Sequence, residues 1–421
     1  MPINLSQIDM ETIQPKTQKG FQIWGIEVSI LLIGLGFLVR ILAMLVSGQL
    51  ETENYWEYGQ IAHNIIEGKG YSFNFTDQNL VFINETYPSA LMPPGYVFFL
   101  LPILMIKDLI IRNLVLFSIQ TGIQIAAIWL SFLMIQQKLN KMVAILTLVL
   151  LCFLPDLVFA CCSVGPTVWF QFLLVLILFW FRKTEKNNWF LLGILAGILI
   201  LMRSESILIV IAFGIFSLKK CGLKFTLLVA SVVCITLLPW VLRNWNTLGI
   251  LSISNSAGVN FYRGNNPGEI GDWPQGFDKT YDLLKSNPES FEVKYDQYAF
   301  QRSITYIKSN PTRWLLILPQ KLFRFVVLDW PDKRTHQFLY WFPWLICLGF
   351  GFWGIKINGN LFREELSILL LFTLLMLVFF PQVRYQTMAK FFFLPFTGIG
   401  LASLLKQIGC FGDMKISKNK L

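Results

Sequence analysis

The sequence predicts an all-α polytopic membrane protein, a helical bundle of about ten spans with two substantial segments on the extracytoplasmic side. Three observations predict it. The chain is 55% hydrophobic and only 14% charged over 421 residues, with a mean hydropathy of +0.57, a balance that water-soluble domains do not carry. Apolar runs of crossing length recur from Phe21 to Leu405. The bases gather in four short linkers between those runs, as in membrane proteins with positive loops on the cytoplasmic side.

Taken in order, the first run, 24–46, is followed by no small-residue cleavage site and reads as an uncleaved crossing, with 1–23 cytoplasmic. The basic linkers are Lys138 with Lys141, Arg182 to Lys186, Lys219 to Lys224, and the tail 406–421. Placing all four in the cytoplasm puts crossings at 24–46, 112–136, 142–159, 166–182, 188–202, 204–218, 225–241, 336–355, 365–381 and 388–405, with both termini inside. By that parity, 97–106 dips into the outer leaflet or lies along it instead of crossing. The chain divides into a transmembrane module at 24–241 that includes the outer loop 48–92, a long extracytoplasmic segment at 242–335, and closing transmembrane helices at 336–405.

The long segment is too polar to cross and too long for a plain connector, so it should carry its own structure. Helical spacing marks 293–307, and 311–325 reads as an interfacial helix anchored by Trp314, Lys321 and Arg324. Turn chemistry occurs at Asn265-Asn266-Pro267-Gly268 and at 273–276.

The formal charge of +10 belongs to the cytoplasmic linkers and makes nucleic acid an unsuitable partner. The seven cysteines form no CxxC and read as small core residues. No phosphate loop, GxSxG elbow or HExxH occurs, and with His63 and His336 as the only histidines a catalytic triad or histidine-rich metal site is close to excluded.

What stands out is the acidic first outer loop. Between Gly48 and Met92 there are six acids (Glu51, Glu53, Glu57, Glu67, Asp77, Glu85) and one base, Lys69. A helix starting near Glu53 would set Glu53, Glu57 and Ile61 on one stripe, with Tyr58, Ala62 and Ile65 beside it. The bland reading is a solvated acidic face; the functional one is a carboxylate at the lipid boundary acting as a general base. Three bases lie in or at the edge of apolar runs, Arg40, Arg203 and Arg384, where charge is costly. Arg203 has a local partner in Glu205 and can simply mark an outer turn, whereas Arg384-Tyr385, after Pro381, is placed to hold a phosphate. Divalent-cation binding by the acids of the first outer loop stays open, and no motif calls for another cofactor.

An ordered set of short pieces runs through most of the chain: Tyr58-x-x-x-Ala62 with Gly68-x-Gly70-Tyr71-Ser72, Pro93-Pro94-Gly95-Tyr96, Pro239-Trp240 with Arg243-Asn244, Gly264-Asn265-x-Pro267, and Arg384-Tyr385. This set resembles the GT-C superfamily of polytopic glycosyltransferases, which includes aminoarabinose transferases and protein O-mannosyltransferase-like enzymes. The resemblance implies a GT-C-like bundle that moves a hexose or pentose from a polyprenyl-phosphate donor to an acceptor hydroxyl, at the outer face of the plasma membrane, by inverting single displacement. It implies an acid in the first outer loop; the family's usual position is Asn54 here, so Glu57 is the first candidate base and Glu53 the second. The family's second outer-loop acid has Asp156 as its nearest counterpart. Tyr58, Tyr96, Arg243, Arg263, Asn265, Arg384 and Tyr385 are the expected substrate-binding residues. A lipid-linked sugar flippase and a polysaccharide polymerase or ligase are the alternatives; the first predicts inverted repeats and midplane polar residues, and no repeat is found. Membrane lipid is the expected surrounding partner, and no residue pattern specifies the sugar, the acceptor or an oligomeric state.

Overall fold

The computed structural model describes residues 22–23, 26–74, 86–183, 188–268, 270–271 and 290–408. Asp77, Glu85, the turn at 273–276, most of the amino-terminal segment and the basic tail beyond Ile408 lie outside the described residues. The architecture is an all-α membrane bundle, with strand confined to two short antiparallel pairs, Gln22–Ile23 with Ile26–Glu27 and Ser72–Phe73 with Tyr87–Pro88.

The helices follow the apolar runs closely. α1 spans Val28–Val46, α2 Trp56–Ile66 and α3 Pro94–Leu104. α4 is Leu109–Lys138, α5 Lys141–Phe153, α6 Pro155–Ala160 and α7 Thr167–Lys183. α8 is Trp189–Met202, α9 Ile207–Cys221 and α10 Leu223–Leu248. The long segment contributes α11 Ala257–Gly264, α12 Phe291–Ser309 and α13 Pro311–Val326, so both helices expected there form. α14 Phe338–Asn358, α15 Arg363–Val378 and α16 Val383–Gln407 close the fold. Helices occupy all ten stretches expected to cross, with 142–159 broken into α5 and α6, and four of these helices, α1, α4, α10 and α16, are long and apolar enough to do so by length and composition. α3 is 11 residues long and reaches about 16 Å, too short for a bilayer core.

Side-chain caps set the element starts locally. Asp108 Oδ1 accepts from Ile111 N at 2.8 Å to open α4, and Asn140 Oδ1 accepts from Val143 N at 2.9 Å to open α5. α16 is the buried axis of the bundle, while α1 and α10 turn leucines and isoleucines outward as a lipid-facing helix should. α14 packs on α16 at very close range because glycine permits it: a Cβ on Gly354 would stand 1.9 Å from Phe396 O, and one on Gly400 2.0 Å from Phe350 O.

Two faces result. At one, Lys138 Nζ donates to Leu361 O at 2.7 Å, Lys220 Nζ to Phe181 O at 3.0 Å, and Arg182 Nη2 bonds both oxygens of Glu365 at 2.6 Å. This is where the basic linkers meet. At the other, here the loop face, the first loop and the long segment touch: Asn255 N donates to Ala90 O at 2.6 Å, and the Glu292 carboxylate accepts from Ser89 Oγ at 2.5 Å and Ala90 N at 2.9 Å.

Candidate active site

The loop-face site starts from α2. Asn54 Oδ1 accepts from Trp56 N at 3.2 Å, and Trp56 takes a φ of 53°, a left-handed turn rarely adopted by a bulky residue. The helix therefore begins at Trp56, and Glu53 lies off it, so the expected stripe of Glu53, Glu57 and Ile61 does not form. Glu53 is 63% exposed and bonded to Arg112 Nη1 at 3.0 Å. Glu57 is half-buried in the first turn of α2. The helix ends where glycine chemistry places the stop, with Gly68 and Gly70 both at positive φ.

Tyr58, one residue on from Glu57, packs edge to face on Tyr96 of α3, ring centroids 5.2 Å apart. Tyr96 is completely buried; its hydroxyl donates to Gln120 Oε1 and accepts from Gly165 N, both at 2.9 Å. Burial pushes the Tyr58 phenol up to about 12, while the charges of Arg203 and Arg384 pull it the other way. Tyr58 thus feels the charge of two guanidinium groups, one at the turn between α8 and α9 and one in the first turn of α16. Arg203, at the turn between α8 and α9, lies 5.0 Å from the Tyr385 ring centroid, and Arg384, at the start of α16, lies 5.3 Å from the same centroid. Glu205 holds Arg203 through Nε, at 2.7 Å, and Nη2, both to Oε1. Arg384 is exposed and makes no hydrogen bond among the described residues. The structure brings Tyr58, Tyr96, Arg384 and Tyr385 of the expected substrate-binding set together, and adds Arg203 and Glu205.

Three expected residues have their polar atoms taken up by the protein. Arg243 donates to Ser89 O at 2.5 Å, Tyr71 O at 2.7 Å and Asn244 Oδ1 at 2.9 Å, tying α10 to the first loop beside its paired strands Ser72–Phe73 and Tyr87–Pro88. Arg263 is buried, donating to Gly271 O at 2.7 Å from Nη2 and lying 4.4 Å from the Phe380 ring centroid. Asn265, wholly buried, donates to Phe261 O and Val378 O, both at 2.8 Å, and accepts from Trp314 Nε1 at 2.8 Å and Lys321 Nζ at 3.1 Å.

Asn265 and Lys321 together form a clasp that was not legible as such. Lys321 Nζ donates to Leu377 O at 3.0 Å, so a cation and an amide cap the last carbonyls of α15, where the helix dipole is negative. Burial brings the Lys321 amine down to about 7. Gly264 lets the backbones meet, since a Cβ there would sit 1.9 Å from Phe379 O. Gln386 of α16 then donates to Arg324 O. The clasp thereby fixes the turn from α15 to α16 that presents Arg384 and Tyr385.

Asp156 is sequestered. It forms an ion pair with Lys390 of α16, the two side chains 1% and 2% exposed, away from any solvent-facing role. Among the described residues no three His, Cys, Asp or Glu side chains converge tightly enough to hold a metal ion, and the first loop's described acids are split, Glu67 paired with Lys69 at 2.6 Å and Glu53 with Arg112. The described acids of the first loop therefore assemble no cation-binding cluster, with Asp77 and Glu85 outside the described residues.

No protein-family model matches the chain. No curated protein matches it in sequence. Solved structures do share its fold. The archaeal oligosaccharyltransferase AglB from Archaeoglobus fulgidus, in complex with an inhibitory peptide and a dolichol-phosphate, superposes with a TM-score of 0.50 at 13% identity, over 92% of this chain and 52% of that one. The same enzyme tethered to an acceptor peptide containing the NVT sequon gives 0.52 at 12% identity, again over 92% and 52%. The chain spans about half the length of these neighbours, and the likeness is one of fold.

Proposed function

We propose that this GT-C-fold protein is an integral membrane glycosyltransferase that takes a sugar from a polyprenyl-phosphate carrier and passes it to an acceptor hydroxyl, with the loop face outside the plasma membrane. The observation that carries the reading is the convergence of Arg203 and Arg384, from two separate turns, around the Tyr385 ring. A single phosphate at headgroup level is the ligand such a pair suits, because guanidinium N–H groups make charge-assisted hydrogen bonds to phosphate oxygens. The dolichol-phosphate in the AglB complex has that chemistry. From the arginine pair, the exposed stripes Ile207, Ile211, Ile215 of α9 and Leu370, Leu374, Val378 of α15 run along two helices in contact, an apolar path for a carrier's tail.

Transfer by single displacement, with inversion at the anomeric carbon, needs two things of the protein. Charge develops on the departing phosphate, and Arg203 and Arg384 are the groups to stabilise it. A carboxylate must receive the acceptor's proton, and Glu57 and Glu205 are the carboxylates flanking Tyr58 and Arg203 in the chain, Glu53 being held by Arg112. The exposed Trp56 and half-buried Tyr58 offer faces on which a sugar ring can stack. The acceptor is a glycolipid, polysaccharide or protein hydroxyl.

The test is direct. Protein reconstituted in nanodiscs is supplied with polyprenyl-phosphate glucose, mannose or arabinose and a membrane-extract acceptor, and release of free polyprenyl phosphate is measured. Carrier released by wild type and lost in R384A supports the reading; no release from any donor, or release unaffected by R384A, refutes it.

A further inference from the structure

We infer that Glu205 is the group that takes the acceptor's proton, an assignment that rests on the glycosyl-transfer reading above and goes beyond it. In the sequence Glu205 looks like no more than the ion-pair partner of Arg203. The geometry gives it a second capacity. Arg203 directs both Nε and Nη2 to one carboxylate oxygen, Oε1, and among the described residues Oε2 accepts no hydrogen bond. The side chain is 28% exposed, against 8% for Arg203, so the free oxygen is on the open side of the pair. A carboxylate oriented through one oxygen and open at the other is what a positioned base requires.

The turn that carries it is built, not loose. Ser206 N donates to Arg203 O at 3.0 Å, and Ser254 Oγ donates to Ser204 Oγ at 2.7 Å, pinning the turn to the long segment. Tyr58 from α2, Tyr385 and Arg384 from α16, and Arg203 itself surround it. The first-loop acids lack this setting. Glu53 is bonded to Arg112, and Glu57 makes no hydrogen bond or ion pair with Arg203 or Arg384 among the described residues.

The acceptor's hydroxyl proton moves to Oε2 of Glu205 while the acceptor oxygen bonds the anomeric carbon. The bond from that carbon to the phosphate oxygen breaks, and its electron pair leaves with the phosphate. Arg384, and Arg203 through Nη1, which makes no hydrogen bond among the described residues, meet the added negative charge. The carboxylic acid then returns its proton to water.

The test uses the full chain in nanodiscs, the same three polyprenyl-phosphate sugars and two variants. Glu205→Gln keeps an acceptor for Arg203 and should lower kcat by about 100-fold or more with KM within about threefold, removing the acid limb of the kcat profile. Glu205→Asp keeps the ion pair while withdrawing the free oxygen by one methylene; it should melt like wild type and still lose about tenfold or more in kcat. Glu205→Gln turning over within fivefold of wild type, or losing KM alone, would overturn the assignment and leave glycosyl transfer standing. A wild type that releases no carrier from any of the three donors overturns both.

Discussion

Arg40 and Arg203 are both nearly or fully buried guanidinium groups at the side of apolar helices, and they are used in opposite ways. Arg40 donates to Leu151 O at 3.1 Å, Cys152 O at 2.8 Å, Gly36 O at 3.0 Å and Gln124 Oε1 at 2.7 Å. The cause lies in the sequence: Pro155 has no N–H, so Leu151 O loses its helical partner where α5 breaks into α6, and Arg40 replaces it. Arg243 serves the first loop in the same manner. Arg203 instead faces a carboxylate, and Arg384 faces solvent. Backbone carbonyls cannot leave, whereas a carboxylate can share its guanidinium with an arriving anion. The acceptors of a buried arginine therefore separate framework from chemistry better than its depth does.

That contrast can be broken by experiment. Replacing Arg384 or Arg203 by alanine should cost about 100- to 1,000-fold in carrier release, the usual loss when one donor to a developing oxyanion is removed, with R384A leaving the melting temperature unchanged. Arg40→Met should do the reverse: two stranded carbonyls cost about 3 kcal/mol of stability, read by thermal unfolding in detergent, while turnover per folded molecule is unaltered. A well-folded R40M that is inactive would erase the distinction.

Much of the fold was legible because membrane helices announce themselves by apolar length and linker charge, and the α12 and α13 helices by their spacing. The site was legible only in part. Arg384-Tyr385 and Tyr58 could be chosen from chemistry next to local breaks in apolar runs. Glu205 was visible in sequence as the partner of Arg203 but carried no sign that the turn would face Tyr58 and Tyr385. The roles of Arg243 and Asn265 were hidden for a physical reason: Arg243 meets carbonyls 154 and 172 residues away, and Asn265 meets one 113 residues away. Such pairings involve backbone groups, which every residue has, so no side-chain pattern marks them. The helix start at Trp56 was missed because a left-handed turn at tryptophan defies local preference.

The clasp sharpens the same contrast at smaller scale. Asn265→Ala leaves Val378 O and the donors of Trp314 and Lys321 without their partner, so it should cost about 2 kcal/mol in stability. Because the clasp positions the turn bearing Arg384, donor KM should rise by about tenfold with kcat changed less. Equal losses in kcat and kcat/KM would place Asn265 at the reacting atoms and not behind them.

The smallest effect on turnover concerns Glu292, which joins α12 to the first loop. Burial raises its carboxyl to about 7, against the opposing pull of Ser89, Ala90 N, the Asn255 side chain and the Arg243 charge. Between the ordinary value of 4.5 and about 7, the folded protein keeps a proton that the unfolded chain has released. Stability must therefore fall as pH rises through that window and level off above it, by about 3 kcal/mol. Melting followed from pH 4.5 to 8 should show the decline in wild type and a flatter line in Glu292→Gln. Glu292 shares Ser89 with Arg243, which spends its donors on carbonyls, so the effect belongs in melting and not in turnover. A kcat profile that lost a limb in Glu292→Gln would move this carboxylate, and the joint it makes, from the framework into the chemistry.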